Sequence, residues 1–531
     1  MKMVKSLLLG TAAGFVAVAG AQAADMPVKA AVQYVKICNL YGDGFYYLPG
    51  TGICVKVGGY VRMETAYNSQ AGQTNWGPFT GSLNGSANSL VDGNDWFIRA
   101  RAYISMDTRE QTEYGVLRTY INIGINGDYP TIPGGGAGSQ PNFSGNRAFI
   151  QFAGFTVGLA QSFYDFYSSP ITSYWGVPSS DTGDGGWLVA AYTATWGNGI
   201  TSTVSLEQPR KTTTQGTNFT TDPFTLATVG GNANSNATSV NLTGAKIRFP
   251  DIVSDFRIDQ AWGSAAIMFA AHDVSGGYYQ PGTIATADCI PLAAGTVTGS
   301  EDCGHPANKV GWAAGTGFRI NNITANGDYF QMQANYTQGA MRYVMVTQAG
   351  QGSAAFFTGG SLGYGWVADG IYSTLTGDVR LTTAYGVNAA YDHYWTKQFK
   401  TSAYGFYGRM EYDSAANNAI CAQQSVANTA GALGGPGAGT SSTVNPLGPY
   451  PGISNCSNNW GIWVVGTRTQ YNFTPAMYVG FDVMYWKLQT ANAGTAFFSG
   501  STTAALPTSV YQIQDQGEWM LRVRFHRDIL P

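Results

Sequence analysis

The stretch Asp95-Trp96-Phe97-Ile98-Arg99-Ala100-Arg101-Ala102-Tyr103-Ile104-Ser105-Met106-Asp107 decides the fold of this chain. Its even positions are all apolar, and its charged residues all lie at odd positions. A period of two is typical of a β-strand, whose successive side chains point to opposite faces of a sheet. In a soluble sandwich the apolar face packs on a second sheet. In a membrane-spanning barrel it faces lipid, and the charged face lines water.

Composition favours the barrel. Only 11% of the 531 residues are charged, against roughly 25% in an average soluble domain. The 70 glycines and the 13% aromatic content are typical of many strands, tight turns and aromatic rings at a membrane interface. The net charge of −3 gives no reason to expect a nucleic-acid partner.

The first 23 residues predict an export signal. Lys2 and Lys5 precede an apolar run at 7–19, and the small-x-small sequence Ala-Gln-Ala follows at 21–23. A run of this length is too short to span a bilayer, which takes about 20 residues. We therefore interpret 1–23 as a signal peptide and expect the mature chain to start at Ala24; a short membrane anchor is the alternative. No later run is apolar enough for a helical span, so a membrane location requires a closed barrel.

The chain has six cysteines, an even number that suggests disulfides in an exported protein. Several connectivities are possible, and pairing between sequence neighbours is only a preference. The candidates are Cys38 with Cys54, Cys289 with Cys303, and Cys421 with Cys456.

About sixteen segments have strand character, an even number as bacterial barrels require. Short connections alternate with long ones rich in Gly, Ser, Thr and Asn, which indicates periplasmic turns and extracellular loops. We predict an N-terminal disulfide segment at 24–54 and an all-β, closed, antiparallel transmembrane barrel at 55–531. The predicted strands are 55–67, 95–109, 113–126, 147–153, 155–162, 187–196, 199–208, 251–262, 263–274, 309–321, 327–339, 380–395, 399–412, 459–473, 476–491 and 518–530.

Side chains alternate between the two faces of a strand, and we call the face assigned to a position its parity. This parity places several cations of the first four strands on the lumen side. An arginine on the lipid face would cost about 2–4 kcal/mol at the midplane, so this parity is strongly enforced. Coming from adjacent strands, these side chains should form one basic wall. Its members are Lys56, Arg62, Arg99, Arg101, Arg118 and Arg147.

The connection at 163–186, which follows the fifth strand, is acidic and aromatic. Folded into the barrel, it would narrow the lumen and set Asp165, Asp181 and Asp184 against the basic wall, creating a transverse field. The alternative is that the arginines are ordinary solvated residues and the loop stays outside. Spacing alone leaves both open.

Several motifs, in order along the chain, resemble the alphaproteobacterial porin family. They are ADMPVK at 24–29, YVKIC at 34–38, GFYYLPG at 44–50, CVKVGGYVR at 54–62, RAFIQFAG at 147–154, GLA at 158–160, DIV at 251–253 and DQAWGSA at 259–265.

The resemblance implies a sixteen-stranded, homotrimeric general diffusion channel whose third loop folds inward to constrict the lumen. Such a protein would lie in the bacterial outer membrane, in contact with lipid and lipopolysaccharide, and pass small hydrophilic solutes and ions. The chain departs from the family in its C-terminus: outer-membrane chains usually end in an aromatic residue, and this one ends in Pro531.

No catalytic or cofactor-binding constellation emerges, and we expect neither an enzyme nor a bound cofactor or metal. Gly359-Gly360-Ser361-Leu362-Gly363 matches a nucleophile-elbow pattern but lacks its strand-turn-helix frame. The four histidines form no metal motif. The acidic turns at 92–95 and 181–184 could offer oxygen ligands to Ca²⁺, but solvated turns are the simpler interpretation.

Two other functions stay open. A substrate-specific channel, for a sugar for example, would need an aromatic track, and the loop after the fifth strand offers such residues. They are Tyr164, Phe166, Tyr167, Tyr174 and Trp175. A soluble exported β-protein, such as a lectin or adhesin, would instead bury its apolar faces between sheets.

Overall fold

The computed structural model is dominated by one closed antiparallel barrel. It describes residues 37–67, 96–129, 142–167, 171–175, 179–182, 185–217, 227–228, 248–276, 306–325, 327–345, 353–373, 378–429, 453–498 and 509–529. The barrel strands are β1 (Cys54–Tyr67), β2 (Trp96–Thr112), β3 (Gly115–Tyr129), β4 (Asn142–Phe152), β5 (Phe155–Ala160), β6 (Trp187–Gly197), β7 (Ile200–Glu207), β8 (Asp251–Gln260), β9 (Gly263–Asp273), β10 (Val310–Asn321), β11 (Tyr329–Gln338), β12 (Thr383–Tyr394), β13 (Phe399–Glu411), β14 (Trp460–Thr474), β15 (Met477–Gln489) and β16 (Gln516–Asp528).

Pairing between the first and last strands closes the barrel. Each strand pairs with its sequence neighbour, and β1 pairs with β16 from Tyr60 opposite Asp528 to Tyr67 opposite Leu521. A closed sheet leaves no unpaired edge, as a lipid environment requires. All sixteen predicted strands are present, so the predicted fold class is confirmed. The largest boundary difference is in β4, which begins at Asn142 rather than at 147.

The apolar face of the strands points outward, as alternation predicts. In β2, Ile104 is 57% exposed whereas its neighbour Tyr103 is 5% exposed. This inverts the pattern of a soluble protein, because the outer surface is the one that contacts acyl chains.

Aromatic rings lie on the outer face near both ends of the strands. Trp463, Tyr485 and Trp519 form a row near one end, with ring centroids 5.3 and 5.0 Å apart. Trp196 and Trp395 are exposed near the other end. Two such belts mark the two membrane interfaces.

Short turns occur at one end of the barrel and long connections at the other. The turns Ala153-Gly154 and Asn198-Gly199 have positive φ at both positions. This is the type I′ geometry that matches the twist of paired strands. We assign the short-turn end to the periplasm and the long-loop end to the cell exterior.

The long loops are more regular than the sequence predicted. Connections interpreted as Gly/Ser-rich loops contain extra strands and a helix. Several of the extra strands pair with segments that are distant in the sequence, so no local pattern indicates them. One sheet has five strands: Ser353–Thr358, Ser361–Trp366, Ile453–Asn455, Ala493–Phe498 and Ser509–Ile513. A second has four: Thr213–Thr217, Ala227–Thr228, Ala368–Ser373 and Asp378–Leu381. Helix α1 spans Ser414–Thr429. Among the described residues, no helix combines the length and apolar content needed to cross a bilayer.

Within the described ranges, two disulfides stabilise segments that flank the barrel strands. Cys38 is bonded to Cys54, the first residue of β1, and Cys421 of α1 is bonded to Cys456. Both pairings were preferred from sequence and are confirmed. The third predicted pair, Cys289 and Cys303, lies outside the described residues.

Candidate functional site: the lumen and its inward loop

The connection between β5 and β6 enters the barrel and crosses its lumen. We call its described residues between 161 and 186 the inward loop. Its first part contacts inward-facing side chains of β7 and β11, and its middle part contacts β13 to β16. A loop bonded to two separate parts of the inner wall lies inside the barrel, where it restricts the passage.

Glycines on the inner wall receive the rings of this loop. Phe166 lies directly against Gly317 of β10, where an added Cβ would collide with the ring. The backbone N–H of Phe166 donates to Gln333 Oε1 at 3.0 Å. Tyr174 occupies the same kind of position over Gly480 of β15. A strand glycine often marks a close approach of another chain segment, and here it makes room for an aromatic ring.

Arginines of the far wall hold the middle part of the loop. The Tyr174 carbonyl accepts hydrogen bonds from Arg522 Nη1 at 2.8 Å and from Arg524 Nη2 at 3.3 Å. The Trp175 ring stacks on Arg522, with its centroid 4.1 Å from the guanidinium carbon. Asp482 accepts from the backbone N–H of Tyr174 and from Ser173 Oγ. These charge-assisted contacts fix the loop on β15 and β16.

A buried ion pair fixes the near end of the loop. Arg210 Nη2 lies 2.8 Å from Asp165 Oδ1, and both side chains are fully buried. Asp165 also accepts hydrogen bonds from Ser180 and Thr182 of the same loop. Burial, the largest single influence, would lower the pKa of Arg210, but Asp165, Tyr343 and Glu207 together outweigh burial and raise it. Arg210 was not predicted from the sequence, because it lies in a long connection without a local motif.

A second polar contact links Arg210 to the wall. Its backbone N–H donates to Asp251 Oδ2 at 3.0 Å, and the Tyr343 hydroxyl donates to the same oxygen at 2.7 Å. His272 Nδ1 lies 2.7 Å from the other Asp251 oxygen. One carboxylate of β8 therefore joins the loop after β11 to the connection after β7, whose Arg210 binds the inward loop.

The predicted basic wall divides into two levels. At the upper level, Arg62 and Arg101 are opposite each other in the register of β1 and β2, and Glu64 is opposite Arg99. Arg99 Nε lies 2.6 Å from Asp128 Oδ1, and Arg524 contacts Glu64 from the other side. This level adjoins the arginines that hold the inward loop.

The lower level lies nearer the periplasm. Lys56 is six residues before Arg62 on β1, about 20 Å along an extended strand, and donates to the Asp43 carbonyl at 3.0 Å. Arg118 binds Asp107 with Nη2 2.9 Å from the carboxylate and donates to Gln151 at 2.9 Å. Arg147 of β4 is opposite Asn122 in the register.

The acidic side of the predicted constriction differs from the prediction. Asp165 does not face the basic wall, because its carboxylate is enclosed with Arg210. Asp181 is 3% exposed, so this residue of the acidic turn is enclosed and not solvated. Asp184 lies outside the described residues, as does the turn at 92–95. Of the loop aromatics that left a substrate-specific channel open, Tyr164, Phe166, Tyr174 and Trp175 are buried against the wall, and Tyr167 is half-buried.

Apolar loop residues cover the inner face of β14 and β15 near the long-loop end of the barrel. Trp366 and Phe356 of the five-stranded sheet pack with lumen-side Trp460 of β14 and Trp486 of β15, all buried. The Phe356 and Trp486 ring centroids are 4.6 Å apart. We call this group the apolar cap. It packs on the lumen side of β12 to β16, at the end of the barrel that carries the long connections.

Within the described ranges, no group of three or more His, Cys, Asp or Glu side chains is arranged to hold a metal ion.

A closed sixteen-stranded barrel with lipid-facing apolar residues, a polar lumen and an inward loop defines a multi-pass outer-membrane β-barrel. A family model described as "Porin subfamily" matches residues 25–521, and the chain belongs to this porin family.

The chain is similar to the porin Omp2b of Brucella melitensis biotype 1 and of Brucella suis biovar 1, with 34% identity over 283 residues in each case. Each match covers 51% of this chain and 66% of the relative, just under two thirds of its length. Among solved structures, it is similar to the outer-membrane channel DcaP of Acinetobacter baumannii, with a TM-score of 0.52 and 11% identity. That match covers 91% of this chain and 99% of the other and concerns the fold alone.

Proposed function

We propose that this protein is a porin that lets small hydrophilic solutes and ions diffuse passively through a water-filled lumen. The observation that carries the proposal is the inward loop, anchored on β7 and β11 and again on β13 to β16. A fixed loop of this kind sets a constant aperture and leaves a passage on the side of β1 to β4.

The basic wall supports a preference for anions in this passage. On the lumen side of β1 to β4, seven cations face three carboxylates in the described residues. The cations are Lys56, Arg62, Arg99, Arg101, Arg109, Arg118 and Arg147, and the carboxylates are Glu64, Asp107 and Asp128. The predicted counter-charge Asp165 is neutralised by Arg210. The remaining excess of positive charge would attract anions in the low-dielectric confines of the pore.

A general pore is favoured over a substrate-specific channel. A specific channel would use loop aromatics as a sliding surface, and Tyr164, Tyr174 and Trp175 are packed against the wall instead. With these rings covered, selection by size and charge is the simpler mechanism.

We also propose a homotrimer in a lipid and lipopolysaccharide environment. Family membership supports the trimer, and the exposed aromatic belts support contact with lipid at both interfaces. Native electrophoresis with and without heating, followed by chemical crosslinking, tests the assembly. A single monomeric band under all conditions would contradict it.

Two measurements test the channel itself. Liposome swelling with sugars of graded size should show a smooth size cutoff, and planar bilayers in a salt gradient should show a reversal potential of anion-selective sign. Saturation by one sugar with exclusion of others of equal size would indicate a specific channel. Absence of any current would overturn the proposal.

A further inference from the structure

The periplasmic mouth of the barrel carries a second cluster of charges and rings, away from the inward loop. It surrounds a cavity of about 420 Å³ between the N-terminal segment and the lower parts of β1 to β3. We call this cavity the periplasmic pocket. Its volume is within the usual range of ligand sites, about 300–1,000 Å³.

One wall of the pocket is a hairpin locked by a disulfide. Cys38 is bonded to Cys54, and the Cys38 N–H donates to the Phe45 carbonyl at 3.0 Å. The short strand Tyr46–Tyr47 pairs with the start of β1. Cys38, Phe45 and Cys54 are buried together. The hairpin is thus a compact unit whose position is fixed by the barrel.

The hairpin lies on the lumen side of the wall. Lys56 has lumen parity, and its ammonium group donates to the Asp43 carbonyl at 3.0 Å. Gly44 permits this approach, since an added Cβ would come within 3.2 Å of Lys56 Cε. The guanidinium carbon of Arg109, also of lumen parity, lies 4.9 Å from the centre of the Phe45 ring. A solute leaving the passage would therefore meet these side chains.

The pocket combines cations with aromatic faces. Lys56 and Arg109 line it, and Arg118 adjoins it through Asp107, which accepts hydrogen bonds from both arginines at 2.9 Å. Three cations thus outnumber the two carboxylates at its edge, Asp43 and Asp107. The rings of Tyr41, Phe45 and Tyr120 supply flat apolar surface.

Donor groups remain for a ligand. The Lys56 ammonium has three N–H groups, of which one is used by the Asp43 carbonyl. Arg109 binds Asp107 through Nε and Nη2, and its Nη1 makes no hydrogen bond within the described residues. A carboxylate is the group that such ammonium and guanidinium donors recognise.

From this juxtaposition we propose that the periplasmic pocket is a binding site for small organic carboxylates with a flat apolar body. The carboxylate would be bound by Lys56 and Arg109, and the body would lie against Phe45 and Tyr120. This proposal depends on the proposed channel function in one respect: solutes reach the periplasmic pocket through the lumen. It would give the pore a weak preference among anions that the inward loop does not provide.

Calorimetric titration of the refolded full-length chain with benzoate tests the site. We expect saturable binding for the unaltered protein and binding about tenfold weaker for Arg109→Gln, as removal of one charge-assisted hydrogen bond predicts. The matched control is Arg257→Gln. Arg257 is also lumen-facing and also pairs with a carboxylate two residues away, Asp259, but on β8. Equal weakening by both substitutions, or no saturable binding, would overturn the proposal.

Two further comparisons keep the test independent of folding defects. Benzyl alcohol, which lacks the charge, should bind much more weakly than benzoate, and equal binding would overturn the proposal. Cys38→Ser with Cys54→Ser should weaken benzoate binding, whereas Cys421→Ser with Cys456→Ser should not. Single-channel conductance of the unaltered protein is measured in parallel. A conducting channel without benzoate binding rejects the site alone, and absence of conductance rejects the channel.

Discussion

The Asp165 carboxylate and the Arg210 guanidinium meet at 2.8 Å, across 45 residues of sequence, with neither side chain exposed to solvent. This pair ties the inward loop to the connection after β7. The Asp165 carboxylate, expected to face passing ions, instead fixes the position of the inward loop.

Removing one partner of this pair should destabilise the protein. Asp165→Asn and Arg210→Met each leave the other charge buried without compensation, which costs about 3–5 kcal/mol in comparable sites. The free energy of unfolding, from urea titration of the barrel refolded in vesicles, measures the effect. The double variant Asp165→Asn with Arg210→Met should recover much of the loss, and a strictly additive loss would contradict the pairing.

The contact between Tyr174 and Gly480 predicts a wider pore on substitution. Gly480→Val places a side chain where the ring lies, and overpacking of this kind costs about 1–3 kcal/mol. The middle part of the loop should leave the wall, and single-channel conductance should become larger or noisier. Gly127→Ala is the control, because an added Cβ there meets nothing within 4 Å. Unchanged conductance in Gly480→Val would remove Tyr174 from the aperture.

Charge reversal at the upper level of the basic wall should change ion selectivity. Arg99→Glu with Arg101→Glu should shift the reversal potential in a salt gradient toward cations, and the corresponding glutamine variants should shift it about half as far, since each removes one charge instead of reversing it. Lys397→Glu, in an exposed periplasmic turn, is the matched charge reversal outside the lumen. A reversal potential insensitive to both arginines would exclude them from the passage.

The orientation of β3 can be tested with two adjacent residues. Ile123 faces outward and Asn122 faces the lumen, where it donates to Asn146 Oδ1 at 2.7 Å. Ile123→Arg should lower the free energy of unfolding in vesicles by about 2–4 kcal/mol. Asn122→Arg should cost less, because its side chain reaches water. The reverse order would mean that the assigned faces are exchanged.

The barrel was predictable because its signal is local. Alternation in segments such as 95–107 reflects the contrast between lipid and water on the two sides of one strand, and this contrast acts on every strand separately. The strand number follows from counting such segments, closure from the need to pair every strand edge in lipid, and the inward direction of Arg62, Arg99 and Arg101 from alternation.

The interior of the site was not predictable in the same way. The contact between Tyr174 and Arg522 spans 348 residues, and no pattern near either residue indicates it. Arg210 lies in a polar connection that resembles any solvated loop. One usable signal was present: glycines at lumen parity, such as Gly317 and Gly480, mark where a ring approaches the wall.

The apolar cap excludes water from the lumen side of β14 and β15, which we call the dry side of the barrel. Around Trp460, Ile462 and Val464, the backbone of β14 has acyl chains on one surface and packed loop residues on the other. Amides in this part of the wall are shielded from solvent on both surfaces, as in the central sheet of a soluble enzyme, whereas those of β3 border open water. Hydrogen exchange should therefore be slowest on the dry side, and the wall beside the passage should be the first to loosen under denaturing conditions.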